Sequence, residues 1–235
     1  MNPLIIVTGG TKGIGLAVIE NFAAQGFDVV TCARNAADLQ DIKIKIEKKH
    51  PSVQVFVQAS DFSKKDDVLA FADFVKNLNR PVDILVNNAG IFAAGAMEDE
   101  PDGLLENLMA VNLYSVYYLT RALMGSMVAR RAGHIFNLCS IASVVAYPNG
   151  GSYCMSKFAL YGLTKVLRQE MKPHGIRVTA VLPGATLTPS WDGVELPAER
   201  FIKPQDVAAS IAAAYQLSPN TVIEELILRP QLGDI

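Results

Sequence analysis

Leu4-Ile5-Ile6-Val7-Thr8-Gly9-Gly10-Thr11-Lys12-Gly13-Ile14-Gly15 opens with a short aliphatic run and passes at once into glycines; a helical pattern starts near Gly13. A buried strand that ends in a glycine-rich turn and leads into a helix N-terminus reads as the first half of a parallel crossover unit. Glycines in such a turn permit the tight bend and let the backbone approach a pyrophosphate, whose charge the helix N-terminus favours. The spacing is G-x-x-x-G-x-G, not the general G-x-G-x-x-G, and purely structural turns use the same residues. The rest of the chain must decide between the two.

The same rhythm repeats downstream. Strands are expected at Phe27–Cys32, Val53–Val57, Asp83–Val86, Ile135–Leu138, Arg177–Leu182 and Val222–Leu228. Between them the pattern predicts helices at Ala36–Lys49, Ser63–Leu78, Leu104–Arg130, Ser152–Met171 and Asp206–Leu217, with Ser63 as a cap for the third helix and Asp66 three residues on. The strands are apolar throughout, as when helices cover both faces of a sheet. Alternation of this kind gives an α/β Rossmann fold, a doubly wound parallel sheet of about seven strands. No linker or low-complexity tract interrupts it, so residues 1–235 are expected to form a single domain, with a short substrate loop near 185–203.

Bulk properties narrow the function. Half of the 235 residues are hydrophobic and the net charge is −2, without a basic block, so the electrostatic footprint of a nucleic-acid binder is missing. Cys32, Cys139 and Cys154 are an odd set in apolar surroundings and read as reduced core thiols, not as a disulfide framework. His50, His134 and His174 are scattered without ligand spacing, so no metal site is expected. No signal peptide and no apolar run of membrane-spanning length is visible, which points to the cytoplasm.

The chemistry concentrates between Ser140 and Lys157. Ser140 closes the apolar run Gly133–Cys139, and Tyr153 and Lys157, four residues apart, share one face of a helix. A phenol has a pKa of roughly 10, and bringing it to about 7 needs ~4 kcal/mol of phenolate stabilisation. One ammonium at ~4 Å in an effective dielectric of ~20 supplies about that much. Lys157 is thus expected to tune Tyr153 into a general acid/base, with Ser140 hydrogen-bonded to the oxygen that exchanges the proton. By itself a tyrosine four residues before a lysine is a common coincidence on a solvated surface.

The end of the second strand bears on the cofactor. A carboxylate there would accept hydrogen bonds from a ribose 2′-hydroxyl and repel a 2′-phosphate. Here Ala33 and Arg34 follow Cys32, and Lys12 in the glycine turn is a second cation, so the pair argues for NADP(H).

Taken together, Thr8–Gly15, Asp61, Asn87-Asn88-Ala89-Gly90, Asn112, Ser140, Tyr153 with Lys157, and Pro183-Gly184 leading to Thr188 resemble the short-chain dehydrogenases/reductases over nearly the full length. The resemblance implies a cofactor site of Gly9, Thr11, Lys12, Gly13, Ile14, Gly15, Arg34, Asp61, Asn88, Ala89, Gly90, Tyr153, Lys157, Pro183, Gly184 and Thr188. It also implies individual roles: Asp61 on the adenine, Thr188 on the nicotinamide carboxamide, Lys157 on the nicotinamide ribose, and Asn112 holding a water that links Lys157 to solvent. The catalytic set is then Asn112, Ser140, Tyr153 and Lys157.

The substrate pocket is expected from Phe92, Ile141, Tyr147 and Trp191, an apolar and aromatic lining that suits a small hydrophobic or planar ketone or aldehyde. The C-terminal Glu224–Pro230 with Gly233-Asp234-Ile235 is similar to bacterial sepiapterin-reductase-like members, which implies a pterin carbonyl substrate and leaves Asp192, Glu195 or Asp234 as partners for its guanidine-like edge. A 3-oxoacyl-thioester reductase is the rival; its acidic carrier protein would need a basic rim, and Arg121 and Arg130-Arg131 are the visible candidates. A binding protein that holds NADPH without turnover is the reading from another class. Apolar residues around most of the 104–130 helix, and at the start of 152–171, predict a homodimer or homotetramer through these two helices.

Overall fold

The computed structural model describes residues 1–235. Seven strands form one parallel sheet in the order β3-β2-β1-β4-β5-β6-β7. They are β1 (Leu4–Thr8), β2 (Asp28–Ala33), β3 (Val55–Ala59), β4 (Ile84–Asn87), β5 (His134–Leu138), β6 (Arg177–Pro183) and β7 (Glu225–Leu228). The helices are α1 (Gly13–Ala24), α2 (Ala36–Lys49), α3 (Lys65–Asn77), α4 (Leu104–Met109), α5 (Ser115–Arg130), α6 (Gly151–Met171) and α7 (Pro204–Gln216).

The side-chain period of two along a strand divides the core. On β1, Ile5 and Val7 join the layer made by α1, α2 and α7, whereas Leu4 and Ile6 join the layer made by α3, α5 and the end of α6. Phe22 anchors the first layer and Phe71 the second, both without solvent exposure. After β3 the chain crosses back, so β4 pairs on the far side of β1 and the strand order reverses between them. A crevice opens at such a switch point, at the carboxyl ends of the strands.

Three expectations need correction. Strands β2, β3 and β4 start one or two residues later than the apolar runs suggested, and β7 is confined to Glu225–Leu228. Ser63 does not cap α3: its amide and hydroxyl both donate to Asp61 Oδ1, at 3.1 and 2.8 Å, and the helix starts at Lys65 without a side-chain cap. The local Asx turn outcompetes the capping box for that hydroxyl. The expected helix 104–130 is interrupted by a π turn at Ala110–Tyr114, a feature that periodicity does not reveal. No helix is long and apolar enough to cross a membrane.

Candidate active site

The crevice is a cleft of about 990 Å³ along the carboxyl ends of the strands, between the glycine turn after β1 and the loops that follow β4, β5 and β6. The glycine turn is fastened from below. Thr8 Oγ1 accepts the amides of Asn88 and Ala89 at 3.0 and 2.9 Å, and Asn88 Nδ2 donates to the carbonyls of Thr8 and Gly9 at 2.8 and 3.1 Å. Asn88 therefore joins the ends of β1 and β4 across the switch point. Gly9 and Gly13 have φ of +68° and +56°, the region that favours glycine. A Cβ on Gly13 would lie 2.9 Å from Thr188 Cγ2, so the missing side chain leaves room for Thr188 beside the turn.

Thr11, Lys12, Ile14, Ala89, Gly90, Pro183, Gly184 and Thr188 line the same cleft, as expected. Gly15 does not. It is buried behind the turn, where a Cβ would strike the Gly9 carbonyl and Asn88 Nδ2, so its smallness serves close packing. At the far end stand Arg34, Asp38 and Asp61, with Lys12 at 4.0 Å from the Asp38 carboxylate. Hydrogen bonds from Ser63 hold the Asp61 carboxyl below its ordinary range, with Lys64 and Arg34 adding to them.

Asn112, also expected in the catalytic set, lies fully buried behind Gly90. The π turn aims its side chain at the loop after β4: Oδ1 accepts the Ile91 amide at 2.9 Å, and Nδ2 donates to the Ile91 carbonyl at 3.0 Å and to Ser156 Oγ at 3.0 Å. Both amide hydrogens are thus engaged by protein, so the side chain works as a buckle between that loop and α6.

At the other end of the cleft Ser140, Tyr153 and Lys157 come together. Ser140 Oγ accepts the Ala142 amide and its own amide donates to Ser143 Oγ, both at 3.1 Å, a capping box that fixes the hydroxyl at the end of β5. Tyr153 faces the cleft, packed edge-on against Phe92 with ring centres 4.8 Å apart. Lys157 differs from expectation. Its ammonium is buried, donates to the Leu138 carbonyl at 2.9 Å, and stands 5.8 Å from the centre of the Tyr153 ring. Burial pushes it down from 10.5 to about 8. The Tyr153 phenol moves the other way: burial drives it above its ordinary value, and the Ser140 hydroxyl opposes that shift only in part. No hydrogen bond joins the two side chains, and the lysine spends its donor on the strand carbonyl instead.

Phe92, Ile141, Tyr147 and Trp191 all line this end. Trp191 lies nearly parallel to Phe92 at 6.2 Å and edge-on to Phe201 at 5.3 Å. The segment carrying Trp191 is zipped at its base, where Ile202 donates to Ala185 and Leu187 to Ile202, each at 2.9 Å. Burial pushes the Tyr147 phenol up to about 12 and the Cys139 thiol up to about 11, which leaves neither as a reactive anion at neutral pH.

Of the three carboxylates considered for a guanidine-like edge, Asp234 reaches the cleft, paired with Arg229, while Asp192 and Glu195 are exposed outside it. The sequence reading missed Asn107, Val111, Ser60 and Ile235 as lining residues. Ser60 adjoins Asp61 and could have been found; Ile235 could not, since only the folded chain brings the C-terminus beside Gly184.

Comparison with known proteins gives a consistent result. The short chain dehydrogenase family profile matches residues 3–197. A sepiapterin reductase of Chlorobaculum tepidum is 35% identical, over 100% of this chain and 99% of its own length. An NAD-dependent glycerol dehydrogenase of Listeria innocua is 32% identical, over 93% of this chain and 91% of its own. Among solved structures, an alcohol dehydrogenase from the archaeon Thermococcus sibiricus, complexed with 5-hydroxy-NADP, superposes with a TM-score of 0.91 at 27% identity, covering 98% of this chain and 97% of that one.

Proposed function

Because this chain belongs to the short-chain dehydrogenase family, we propose that it is an NADPH-dependent reductase of small apolar or planar ketones and aldehydes. The observation that carries the reading is the meeting of Ser140, Tyr153 and Lys157 at one end of a cleft whose other end holds the glycine turn, Arg34 and Lys12.

The residues fit a nicotinamide dinucleotide. Gly9 and Gly13 leave backbone free to approach a pyrophosphate at the start of α1, and Thr188 faces Gly13 across the channel. Arg34 and Lys12 would hold a ribose 2′-phosphate, which favours the phosphorylated form, although Asp38 beside Lys12 offsets part of that charge. When bound, the dinucleotide supplies the hydride.

The chain's own groups supply the rest. Ser140 Oγ donates a hydrogen bond to the carbonyl oxygen, and Tyr153 Oη hands its proton to that oxygen as it becomes an alkoxide. Reduction needs the tyrosine protonated beforehand, and burial that holds the phenol above its ordinary value ensures this at neutral pH. The Lys157 ammonium, fixed on Leu138, adds positive potential beside the phenolate that remains after transfer.

Phe92 and Trp191, 24° from parallel, favour a flat substrate above Tyr153. A pterin carbonyl compound would suit this aromatic lining, with Asp234, which lines the cleft and pairs with Arg229, as the carboxylate for its guanidine-like edge. The acyl-carrier reading is weaker, because Arg130 is tied to Asp83 and the Val82 carbonyl and Arg131 to the Pro173 carbonyl, none of which lines the cleft. Three buried, unpaired cysteines support a reducing compartment, the cytoplasm.

The test is NADPH oxidation against a panel of sepiapterin, diacetyl, an acetoacetyl thioester and aromatic aldehydes, with Tyr153→Phe alongside. Turnover with the planar carbonyls is expected, together with its loss in Tyr153→Phe while NADPH affinity stays largely intact. NADPH binding without any turnover would instead favour a sensor.

A further inference from the structure

The loop after β4 meets the first turn of α6 away from the reacting groups. Glu100 Oε1 accepts the backbone amide of Ser152 at 2.7 Å, and Oε2 accepts the Ser152 hydroxyl. The helix has no side-chain cap of its own at Gly150, and the first amides of a helix have no partner within it. The carboxylate comes from fifty-two positions away in the chain. Its access depends on Gly151, which has φ +24°; a Cβ there would run into Glu100 Oε1 and lie 3.0 Å from the Gly95 carbonyl. The Gly95 amide in turn donates to the Asn149 carbonyl at 2.9 Å.

Residues 91–100 are thus stitched twice to residues 149–152. The first segment carries Phe92, the second follows Tyr147, and Tyr153 comes directly after the clamped serine. We infer that Glu100 is a positioning residue for the reduction: its carboxylate fastens the Phe92 wall of the substrate slot to the first turn of α6 and so fixes the distance between that wall and the Tyr153 phenol. This rests on the reductase reading. Glu100 acts through Ser152 and does not line the cleft. The two bonds are charge-assisted, which makes them stronger than neutral ones.

The whole chain is compared with Glu100→Ala, Glu100→Gln, Ser152→Ala and the Glu100→Ala/Ser152→Ala double variant. Readouts are NADPH affinity by fluorescence, kcat and KM on a carbonyl turned over by the wild type, and amide hydrogen exchange at residues 151–153. Glu100→Ala is expected to lower kcat/KM about tenfold, with NADPH affinity unchanged and faster exchange at the Ser152 amide. Glutamine, whose carbonyl accepts that amide and whose NH2 donates to the hydroxyl, restores most of the loss. Adding Ser152→Ala to Glu100→Ala lowers kcat/KM no further, because its partner is already gone. Unchanged kcat/KM in Glu100→Ala, a glutamine as impaired as alanine, or additive losses in the double variant would each overturn the proposal. Exchange reads the clamp without turnover. A wild type inactive on every carbonyl would therefore refute the reductase reading, while unaltered exchange in Glu100→Ala would refute the clamp.

Discussion

At Lys157, burial and function pull in opposite directions. The fall from 10.5 to about 8 means that holding the ammonium in this site costs on the order of 3 kcal/mol. Below about pH 8 both the folded and the unfolded chain carry the charge, and the folded state bears the whole cost. As pH rises from about 8 to 10.5 the unfolded chain retains the proton more often, so this group's contribution to stability rises with pH. Lys157→Met should therefore abolish turnover yet raise stability at pH 7 by about 2 kcal/mol in urea unfolding, the lost Leu138 bond offsetting ~1 kcal/mol. The gain should shrink toward pH 10.5, and a destabilised variant would show that the ammonium is better solvated than its surroundings indicate. Arg34 is exposed at the opposite end of the cleft. Arg34→Ala is expected to weaken NADPH by about tenfold or more and NADH little, since a charge-assisted phosphate contact is lost in the first case alone; equal losses in a titration would remove the 2′-phosphate assignment.

At the scale of elements, the shift from an apolar stripe to a functional turn decides most of the geometry. The π turn at Ala110–Tyr114 adds a residue to the helical ladder and sends Asn112 inward to Ile91 and Ser156. An Asn within an apolar helix is visible in the sequence, but the insertion that aims it is not, because a single wide turn leaves the hydrophobic period almost unchanged. Helix α3 shows the reverse case, a legible capping signal that a neighbouring aspartate overrode. What holds α3 on the sheet is its apolar stripe of Val68, Phe71, Ala72 and Val75, all buried. Phe71→Ala should cost about 3–5 kcal/mol by urea unfolding while leaving residual folded protein able to bind NADPH. A loss below ~1 kcal/mol would mean that the layer closes over the cavity.

For the whole molecule, apolar side chains remain exposed on α5 and α6 after folding. Tyr117 on α5 is exposed, as are Phe158, Gly162 and Val166, which recur every four residues down one side of α6. Such a stripe is expected to be covered by a second copy of the chain. Sedimentation velocity should give a dimer or tetramer, and Phe158→Glu with Val166→Glu should release monomers; a wild-type monomer at micromolar concentration would contradict the assembly.

Alternation of apolar runs with helical periods determined the doubly wound sheet, because burial on both faces leaves strands few polar positions. Chemical type and spacing likewise determined which residues could bind a dinucleotide and exchange a proton: glycines at a strand end, and a tyrosine one helical turn from a lysine. Only the tertiary structure decided where those groups point. Lys157 turned to the Leu138 carbonyl, Gly15 lay behind its turn, and Glu100 and the C-terminal Asp234 arrived from distant parts of the chain. The physical reason is the range of the interactions: periodicity and propensity act over a few residues, whereas a buried charge or an unpaired helix amide takes whichever partner the packed fold brings within about 3 Å.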